Sequence, residues 1–284
     1  EFILSAQGSV IGGILAGAAY AYWFYRDKEK VKLSPPKEQT VIVHPYEQMG
    51  TITIIAAVAG ILGAKLFHNF ENWNDFVADP IGALLSFSGL TFYGGLICGA
   101  GGVIYYARKN NIHLLHLIDA SAPGLMLSYG IGRMGCHMSG DGDWGVVNLL
   151  AKPFSWLPDW AWAYRFPNNV ISEGIPIPGC VGSHCTQLEQ PVWPTSMYES
   201  LMCIGLFFVL WAFRKRMTVP GFMFALYLFV NGLERFCIEK VRVNNVGEYF
   251  GVAATQAQVI ATSLMILGLI GMIWSYQIVR TKKA

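Results

Sequence analysis

The sequence predicts an all-α integral membrane protein: a bundle of about seven transmembrane helices with a small periplasmic head subdomain. Its composition gives two reasons. Hydrophobic residues make up 54% of the 284 residues and charged residues only 13%, and the mean hydropathy is +0.41. Soluble domains usually carry about a quarter charged residues. The third reason is that the hydrophobic residues fall into runs long enough for helices of about 20 residues to cross a bilayer.

Seven apolar segments follow one another along the chain. The predicted spans are residues 3–25, 51–67, 81–107, 114–135, 194–213, 219–241 and 255–279. The third is interrupted by Tyr93, Gly94 and Gly95, and the fourth contains Asp119, for which a structural role as a cap or anchor is expected. Glycine inside a span is tolerated because neighbouring helices satisfy the freed backbone groups. The chain is therefore one transmembrane domain, with residues 136–193 inserted into it as the head.

Basic residues collect behind the odd-numbered spans. They are Arg26, Lys28, Lys30, Lys32, Lys37, Arg108, Lys109, Arg214, Lys215, Arg216, Arg280, Lys282 and Lys283. Because cytoplasmic loops are enriched in lysine and arginine, the N-terminus is expected outside and the C-terminus in the cytoplasm. A net charge of only +2, with no basic patch interleaved with aromatic residues, argues against a nucleic-acid partner.

The head segment carries cysteines and tryptophans on the predicted outer side. In an oxidising compartment Cys180 and Cys185 are expected to form a disulfide. A zinc site that uses His184 is the alternative, although no second pair of ligands has suitable spacing. Three tryptophans are predicted to form an aromatic patch at the level of the lipid headgroups: Trp156, Trp160 and Trp162.

Charged side chains inside spans are costly, and they mark functional sites by default. Arg133 lies near the outer end of the fourth span, and Tyr198 and Glu199 lie in the outer third of the fifth. The sixth carries Arg235, Glu239 and Arg242 at helical spacing, which predicts one shared face. Three arginines against two glutamates leave an excess of positive charge, and a guanidinium group binds phosphate bidentately. The residues therefore indicate a site for the phosphate of a lipid headgroup.

The same residues also have structural interpretations. Arg235 and Glu239 can form an ion pair that joins helices, and Glu199 can neutralise Arg133. The glycines can serve close helix packing. A small transporter or scaffold that uses paired charges for gating belongs to a different class. Such a transporter would favour charges spread over the full depth of the membrane. Here only Asp119 lies toward the cytoplasmic side, so the lipid site is favoured.

Several stretches together resemble the prolipoprotein diacylglyceryl transferase family. Residues 132–141 read Gly-Arg-Met-Gly-Cys-His-Met-Ser-Gly-Asp, and residues 92–96 read Phe-Tyr-Gly-Gly-Leu. Residues 194–199 read Pro-Thr-Ser-Met-Tyr-Glu, and residues 235–242 read Arg-Phe-Cys-Ile-Glu-Lys-Val-Arg. These motifs occur in the family's order, and the similarity extends from about Gly50 to the end. That combination is far more specific than one motif.

The resemblance implies an enzyme of the bacterial cytoplasmic (inner) membrane with seven spans, an outer N-terminus and an active site toward the periplasm. It implies transfer of the diacylglyceryl group of phosphatidylglycerol to the lipobox cysteine thiol of a prolipoprotein. A thioether would form and glycerol phosphate would leave. The expected partners are that lipid and the prolipoprotein signal peptide. The resemblance requires no metal or organic cofactor, and we expect a monomer.

The resemblance also implies the residues of the site. The catalytic residues it implies are Arg133, Arg235, Glu239 and Tyr93, the last at the position of a family histidine. The substrate-binding residues it implies are Gly94, Gly95, Cys136, His137, Asp141, Tyr198, Glu199 and Arg242.

Some positions depart from the family pattern. Tyr93 replaces a histidine, and a phenol is a weaker base than an imidazole at neutral pH. Cys136 and His137 replace an asparagine and a phenylalanine, and an additional residue leaves open whether Asp141 or Asp143 takes the place of a glutamate. A paralogue that binds lipid or lipoprotein with altered or lost chemistry is therefore the alternative within the same fold.

Overall fold

The structure, a computed structural model, describes residues 17, 19, 20, 22, 23, 26, 45–86, 89–216, 219–243, 247–249 and 252–283. The first predicted span, residues 3–25, lies almost entirely outside the described residues. The chain divides into two compact units, Glu1–Ile54 and Ile55–Ala284. The described part of the first contains a short 3₁₀ helix, Pro45–Gln48, and the beginning of helix α1.

Eight α-helices and two small antiparallel sheets make up the regular structure of the described residues. The helices are α1 Met49–Glu71, α2 Trp73–Ala78, α3 Pro80–Leu85, α4 Phe92–Lys109, α5 Leu114–Ser139, α6 Thr195–Phe213, α7 Phe222–Ile238 and α8 Gln256–Lys283. The strands are β1 Ile175–Pro176 with β2 Thr186–Gln187, and β3 Gly247–Tyr249 with β4 Val252–Ala254. The prediction of a mainly helical protein is confirmed.

Three helices among the described residues are long and apolar enough to cross a membrane. They are Met49–Glu71, Thr195–Phe213 and Gln256–Gln277. Helix α8 exposes a row of large apolar side chains, among them Ile266, Ile270 and Ile273. Such residues are buried in soluble proteins, and their exposure along a helix fits a surface that faces lipid. The count of seven spans stays a prediction.

The interruption of the third apolar segment lies earlier than the sequence suggests. Helix α3 ends at Leu85 and α4 begins at Phe92, so Tyr93 and Gly94 lie in the first turn of a helix. The glycine serves close packing instead of a break, because a Cβ at Gly94 would lie 2.5 Å from the carbonyl oxygen of Gly63 on α1. Small residues let two membrane helices approach closely in this way.

Helices α5 to α8 contact one another and form the bundle that carries the site. Its core lies between α5, α6 and α7 and contains Met126, Cys203 and Met223, which are almost completely buried. Helices α7 and α8 pack closely, and a Cβ at Gly232 would lie 2.6 Å from the carbonyl oxygen of Ala261. This packing holds α5, α6 and α7 at fixed positions relative to one another, so that side chains at the same depth on these helices lie close together.

Asp119 caps a helix other than its own. It lies on α5, and its carboxylate accepts hydrogen bonds from the backbone nitrogens of Gly221, at 2.5 Å, and Phe224, at 2.8 Å. Backbone nitrogens at the start of a helix have no partner within that helix, and a carboxylate is favourable at this end. Gly221 has φ of 86°, a conformation that glycine adopts without strain. The structural role expected for Asp119 is confirmed, and it ties α7 to α5.

The segment between α5 and α6, residues 140–194, is called here the head segment. It has little regular structure, and its own small core contains Trp144, Phe166, Leu188 and Val192. Cys180 and Cys185 form a disulfide, which confirms the favoured prediction and contradicts the zinc alternative.

Two of the three tryptophans predicted to form the aromatic patch have the exposure that such a patch requires, and their location at the lipid headgroups stays a prediction. Trp156 and Trp160 are exposed. Trp162 instead packs edge-on against Trp193, with ring centroids 4.5 Å apart. Trp162 is therefore packed within the head segment, next to the start of α6, and does not belong to the exposed patch.

Candidate active site

The completely buried carboxylate of Glu199 is the centre of a network of charged side chains. It lies in the second turn of α6, and its residue is 0% exposed. Arg133 on α5 donates from Nε to Glu199 Oε2 at 2.7 Å, and Arg235 on α7 donates from Nη1 to Oε1 at 2.9 Å. The hydroxyl of Tyr129 also donates to Oε1. A buried carboxylate is tolerable because it is paired and hydrogen-bonded in this way.

A second carboxylate holds the other side of Arg235. Glu239 Oε2 lies 3.1 Å from Arg235 Nη2, and Glu239 Oε1 accepts a hydrogen bond of 2.7 Å from the hydroxyl of Thr255. Thr255 also begins α8: its hydroxyl accepts from the Gln258 nitrogen at 3.2 Å, and Gln258 Oε1 accepts from the Thr255 nitrogen at 3.1 Å. This is the reciprocal arrangement of a capping box. The start of the last helix is thus bound to the network.

A third carboxylate comes from the head segment. Asp143 forms ion pairs with both Arg133 and Arg242. Arg242 Nη1 also lies 3.8 Å from Glu199 Oε2. Burial, together with the neighbouring charge of Arg133, lowers the pKa of Arg242 from its ordinary value. The two carboxylates at its side still favour the charged guanidinium form.

Two expectations about this network were wrong. Helix α7 ends at Ile238, so Arg242 lies beyond the predicted helical face and is placed by a β-bridge to Gly145. The predicted excess of positive charge is also absent from the network. Three arginines face three carboxylates, because Asp143 joins Glu199 and Glu239. We call these six residues the ion-pair cluster: Arg133, Asp143, Glu199, Arg235, Glu239 and Arg242.

Two guanidinium nitrogens of the cluster are buried without a hydrogen-bond partner among the described residues. They are Nη2 of Arg133 and Nε of Arg242. A buried donor that lacks an acceptor costs roughly 1–3 kcal/mol. Both donors belong to residues that already contact Asp143. The cluster therefore has two donors that can bind an anion near Asp143. An anion with several oxygen acceptors can pair with both of them.

Two further predicted site residues, Cys136 and Asp141, contact the cluster, and a third, His137, packs against aromatic rings of the head segment. The Sγ of Cys136 lies 3.4 Å from Nη1 of Arg133. Asp141 is exposed and accepts a 3.3 Å hydrogen bond from the Asp143 nitrogen, so the pairing with arginine belongs to Asp143. His137 lies in the last turn of α5, with Nδ1 3.4 Å from the Ser196 hydroxyl.

Possible metal ligands also occur here. One donor atom each of Cys136, Asp141 and Asp143 lies within 4.8 Å of the others. However, the carboxylate of Asp143 already pairs with Arg133 and Arg242. A cation bound at these three residues would face two guanidinium groups, and like charges at such distances repel. With the two guanidinium groups beside them, these three side chains are therefore poorly placed for a metal ion, and the cluster is better suited to bind an anion.

Four other predicted residues lie outside the ion-pair cluster. Tyr93 is half exposed, and its ring contacts Phe92 at a centroid distance of 5.7 Å. The missing side chains of Gly94 and Gly95 leave room for α1. The hydroxyl of Tyr198 donates a 2.7 Å hydrogen bond to the carbonyl oxygen of Ala161 in the head segment. Their roles in binding or catalysis stay predictions.

The sequence reading missed several members of the site. Tyr129 precedes Arg133 by four residues, and that helical spacing is a signal that could have found it. Asp143 was weighed only as an alternative to Asp141. Glu234 is 4% exposed, and its carboxylate lies within hydrogen-bonding reach of the Cys203 thiol. Nothing in the sequence distinguishes Glu234 from an ordinary residue beside Arg235.

A helical bundle with apolar outer faces and a buried cluster of arginines and carboxylates is typical of a class: membrane-embedded proteins with a polar functional site in their interior. Comparison with known proteins then gives the family. The family model described as prolipoprotein diacylglyceryl transferase matches residues 10–274. The chain belongs to that family.

Several curated relatives are called phosphatidylglycerol–prolipoprotein diacylglyceryl transferase. The protein of Dehalococcoides mccartyi is 28% identical over 90% of this chain and 82% of its own length. That of Corynebacterium efficiens is 30% identical over 84% of this chain and 69% of its own. That of Vibrio cholerae is 30% identical over 78% of this chain and 70% of its own.

Proposed function

We propose that the ion-pair cluster binds the phosphate of phosphatidylglycerol, and that the chain transfers the diacylglyceryl group of this lipid to prolipoproteins. Family membership over residues 10–274 supports the reaction. The single observation that supports the phosphate assignment is the pair of buried, unpartnered donors, Nη2 of Arg133 and Nε of Arg242. A phosphodiester offers anionic oxygens that accept such donors with charge-assisted hydrogen bonds.

The transfer is a substitution at carbon. The sulfur of the prolipoprotein's lipobox cysteine, as its thiolate, attacks the glyceryl carbon that carries the phosphate. A carbon–sulfur bond forms and the carbon–oxygen bond breaks, with its electron pair leaving on the phosphate oxygen. The leaving group is glycerol phosphate, which gains negative charge during the step. Arg133, Arg235 and Arg242 stabilise that charge, and prearranged cations are effective in a site that excludes water.

The three carboxylates have different parts in this proposal. Glu199 and Glu239 hold Arg133 and Arg235 in place, since both carboxylates are buried and bonded to them. Asp143 instead lies on the partly exposed side of the cluster. Without lipid the cluster has equal numbers of positive and negative groups. A phosphate adds negative charge, so its binding favours the departure of the Asp143 side chain from the two arginines. Asp143 therefore competes with the phosphate for Arg133 and Arg242.

We assign the remaining predicted residues to the lipid and peptide around this phosphate. The hydroxyl of Tyr93 has no hydrogen-bond partner among the described residues, and its side chain is half exposed, so it is accessible to an incoming thiol. Cys136 contacts Arg133 and is therefore expected to lie close to the bound phosphate. A phenol that assists proton removal is expected to act on turnover and not on lipid affinity.

The proposed location is the bacterial inner membrane, with the cluster toward the periplasm and with the N-terminus outside. The arrangement of basic residues behind the odd-numbered spans supports this orientation. The disulfide of the head segment fits the same side, because disulfides persist in oxidising compartments.

The test is a transfer assay with purified protein in vesicles of phosphatidylglycerol and phosphatidylethanolamine. A synthetic lipobox peptide is added, and thioether-linked product is measured by mass spectrometry. The proposal expects product and released glycerol phosphate in equal amounts. Retained phosphatidylglycerol binding without any product would instead support the alternative, a lipid-binding paralogue with lost chemistry.

A further inference from the structure

The head segment contains a surface loop, residues 149–161, that is apolar and exposed. Trp156 is 76% exposed and Leu149 is 74% exposed. The other large exposed apolar side chains of the loop are Leu150, Phe154 and Trp160. Together they form a contiguous stretch of a kind that water-facing surfaces rarely carry and that marks contact with a partner or membrane. We call residues 149–161 the apolar loop.

The base of the apolar loop is closed by side-chain hydrogen bonds. Asn148, which is almost fully buried, donates from Nδ2 to the Trp162 carbonyl oxygen at 2.6 Å and accepts from the Leu150 nitrogen at 3.1 Å. The Trp162 indole donates to the Leu150 carbonyl oxygen at 3.0 Å. These bonds join the two ends of the loop, as in a compact surface loop with close ends. The loop is therefore a formed structure with a defined position.

The apolar loop is attached to the first turn of a helix that can span the membrane. Tyr198 on α6 donates its hydroxyl to the carbonyl oxygen of Ala161, the last residue of the loop. Trp193, just before α6, packs against Trp162 at 4.5 Å between ring centroids. Helix α6, Thr195–Phe213, is about as long as the apolar layer is thick. We therefore expect its first turn near the boundary between lipid and water, with the end of the loop that contacts it at a similar height.

The charges of the apolar loop are compatible with this position. Its two ionisable residues, Lys152 and Asp159, neutralise each other with Nζ and Oδ1 2.7 Å apart. The loop contains only one short turn of regular structure, the 3₁₀ helix Asp159–Ala161. A backbone with unpaired polar groups does not enter the hydrocarbon core, whereas amphipathic indole rings favour the headgroup level. Partial insertion among lipid headgroups satisfies both requirements.

We propose that the apolar loop inserts into the headgroup region of the leaflet beside the active site, with Trp156 and Trp160 as its anchors. The occupant of this surface is lipid. The loop is connected to the ion-pair cluster through two intermediate residues. Trp193, which packs against Trp162 at the base of the loop, accepts a 2.9 Å hydrogen bond from the Gly145 nitrogen, and Gly145 forms a β-bridge with Arg242. The inserted loop therefore fixes the height of the cluster relative to the phosphates of surrounding lipids.

The test measures tryptophan fluorescence in vesicles of phosphatidylglycerol and phosphatidylethanolamine brominated either near the headgroup or near the bilayer centre. The double variant Trp156→Phe/Trp160→Phe is compared with the wild-type protein. We expect the double variant to lose a clear part of the quenching by shallow bromines and little of the quenching by deep ones, because seven of the nine tryptophans remain. Trp144→Phe is the control, because Trp144 is buried in the core of the head segment and its emission is shielded from both bromines.

Equal relative quenching of the wild-type protein and the double variant by shallow bromines would overturn the proposal, since the loop would then face water. Quenching that a lipobox peptide abolishes would overturn it too, because the peptide would be the occupant. The consequence for catalysis rests on the proposed function and has its own measurement. In Trp156→Asn/Trp160→Asn the KM for phosphatidylglycerol in vesicles is expected to rise. Turnover of a short-chain, water-soluble phosphatidylglycerol is expected to be unchanged, and its loss would point to the cluster itself.

Discussion

Arg133 Nε and Glu199 Oε2 are 2.7 Å apart, although the two residues lie 66 positions apart in the chain and on different helices. The bond joins α5 to α6 in the interior of the bundle. The Glu199 carboxylate has no exposure to solvent, so its charge is balanced only by its protein partners. The pair therefore serves two purposes, because it holds the arginine for a phosphate and it stabilises a charged interior.

Removal of the Glu199 carboxylate should destabilise the protein. Glu199→Ala leaves Arg133 and Arg235 buried without their shared partner, and a broken buried pair costs about 3–5 kcal/mol. The free energy of unfolding can be measured with denaturant in one detergent. The exposed Glu189 provides the control, and Glu189→Ala should change the free energy by about 0.5 kcal/mol or less. Equal stability of both variants would mean that Glu199 is not charged in the folded protein.

Turnover should depend on the arginines that face the phosphate. Arg133→Ala and Arg235→Ala are expected to reduce turnover by roughly 10²-fold or more, as the loss of a donor to a developing charge does. Arg214→Ala is the matched control, since Arg214 is exposed and stacks on Trp211 with 3.5 Å between its Cζ and the ring centroid. Thermal unfolding of each variant shows whether it is folded. Wild-type turnover in a folded Arg133→Ala protein would remove the phosphate assignment.

Asp143→Asn should increase the affinity for phosphatidylglycerol. The substitution removes the internal competitor of the phosphate and leaves two arginines with unbalanced charge. Glycerol phosphate should also inhibit this variant more strongly than it inhibits the wild-type protein. Equilibrium binding of labelled lipid and inhibition constants measure both effects. If Asp143 only positions the arginines, binding becomes weaker, so the sign of the change decides between the two roles. Glu189→Gln is the control, because Glu189 is exposed and lies outside the ion-pair cluster.

Tyr93→Phe should lower turnover by about tenfold if the hydroxyl assists removal of the thiol proton. This is less than the roughly 10²–10⁴-fold that general acid–base groups usually contribute, because a phenol is a weak base. Lipid affinity should be unchanged, since Tyr93 lies outside the ion-pair cluster. Steady-state kinetics with the lipobox peptide at two lipid concentrations separate the two quantities. Tyr106→Phe on the same helix is the control. Unchanged turnover in Tyr93→Phe would assign Tyr93 to packing.

Gly94→Ala should destabilise the contact between α1 and α4. A methyl group there would lie 2.5 Å from the Gly63 carbonyl oxygen, and neither backbone can yield without a shift of the helix. Overpacking of this kind costs about 1–3 kcal/mol. Gly101→Ala on the same helix is the matched control, because a Cβ at Gly101 has no neighbour within 4 Å. Thermal unfolding of the two variants in the same detergent should show a lower midpoint for Gly94→Ala alone.

The sequence predicted the helical class and four members of the ion-pair cluster that lie on helices or at their ends: Arg133, Glu199, Arg235 and Glu239. Helical spacing and the expected depth in the membrane were sufficient for these residues, because both quantities follow from position along the chain. Asp143 was not selected, since it lies in a segment without a period. Two glycines with positive φ precede Asp143, Gly140 at 63° and Gly142 at 96°, and sequence alone does not fix such a backbone.

The break expected at residues 93–95 was wrong for a related reason, and the alternative of close helix packing was right. Glycine favours both a break in a helix and close contact between helices, and the choice depends on a partner distant in sequence. Here the partner is Gly63 on α1. Arg242 shows the same dependence on distant residues. Its spacing from Arg235 suggested a continued helix, but the chain leaves the helix at Ile238 and pairs with Gly145 instead.

The bond between Thr255 and Glu239 has a consequence for the order in which the site is built. Thr255 begins the last helix, and its hydroxyl both caps that helix and binds the carboxylate that holds Arg235. While the region around Thr255 is still inside the ribosome, Glu239 therefore lacks the Thr255 hydroxyl as its hydrogen-bond partner. The site is completed only after the region around Thr255 has been synthesised, so nascent chains that stop before Thr255 are expected to lack a fully assembled site.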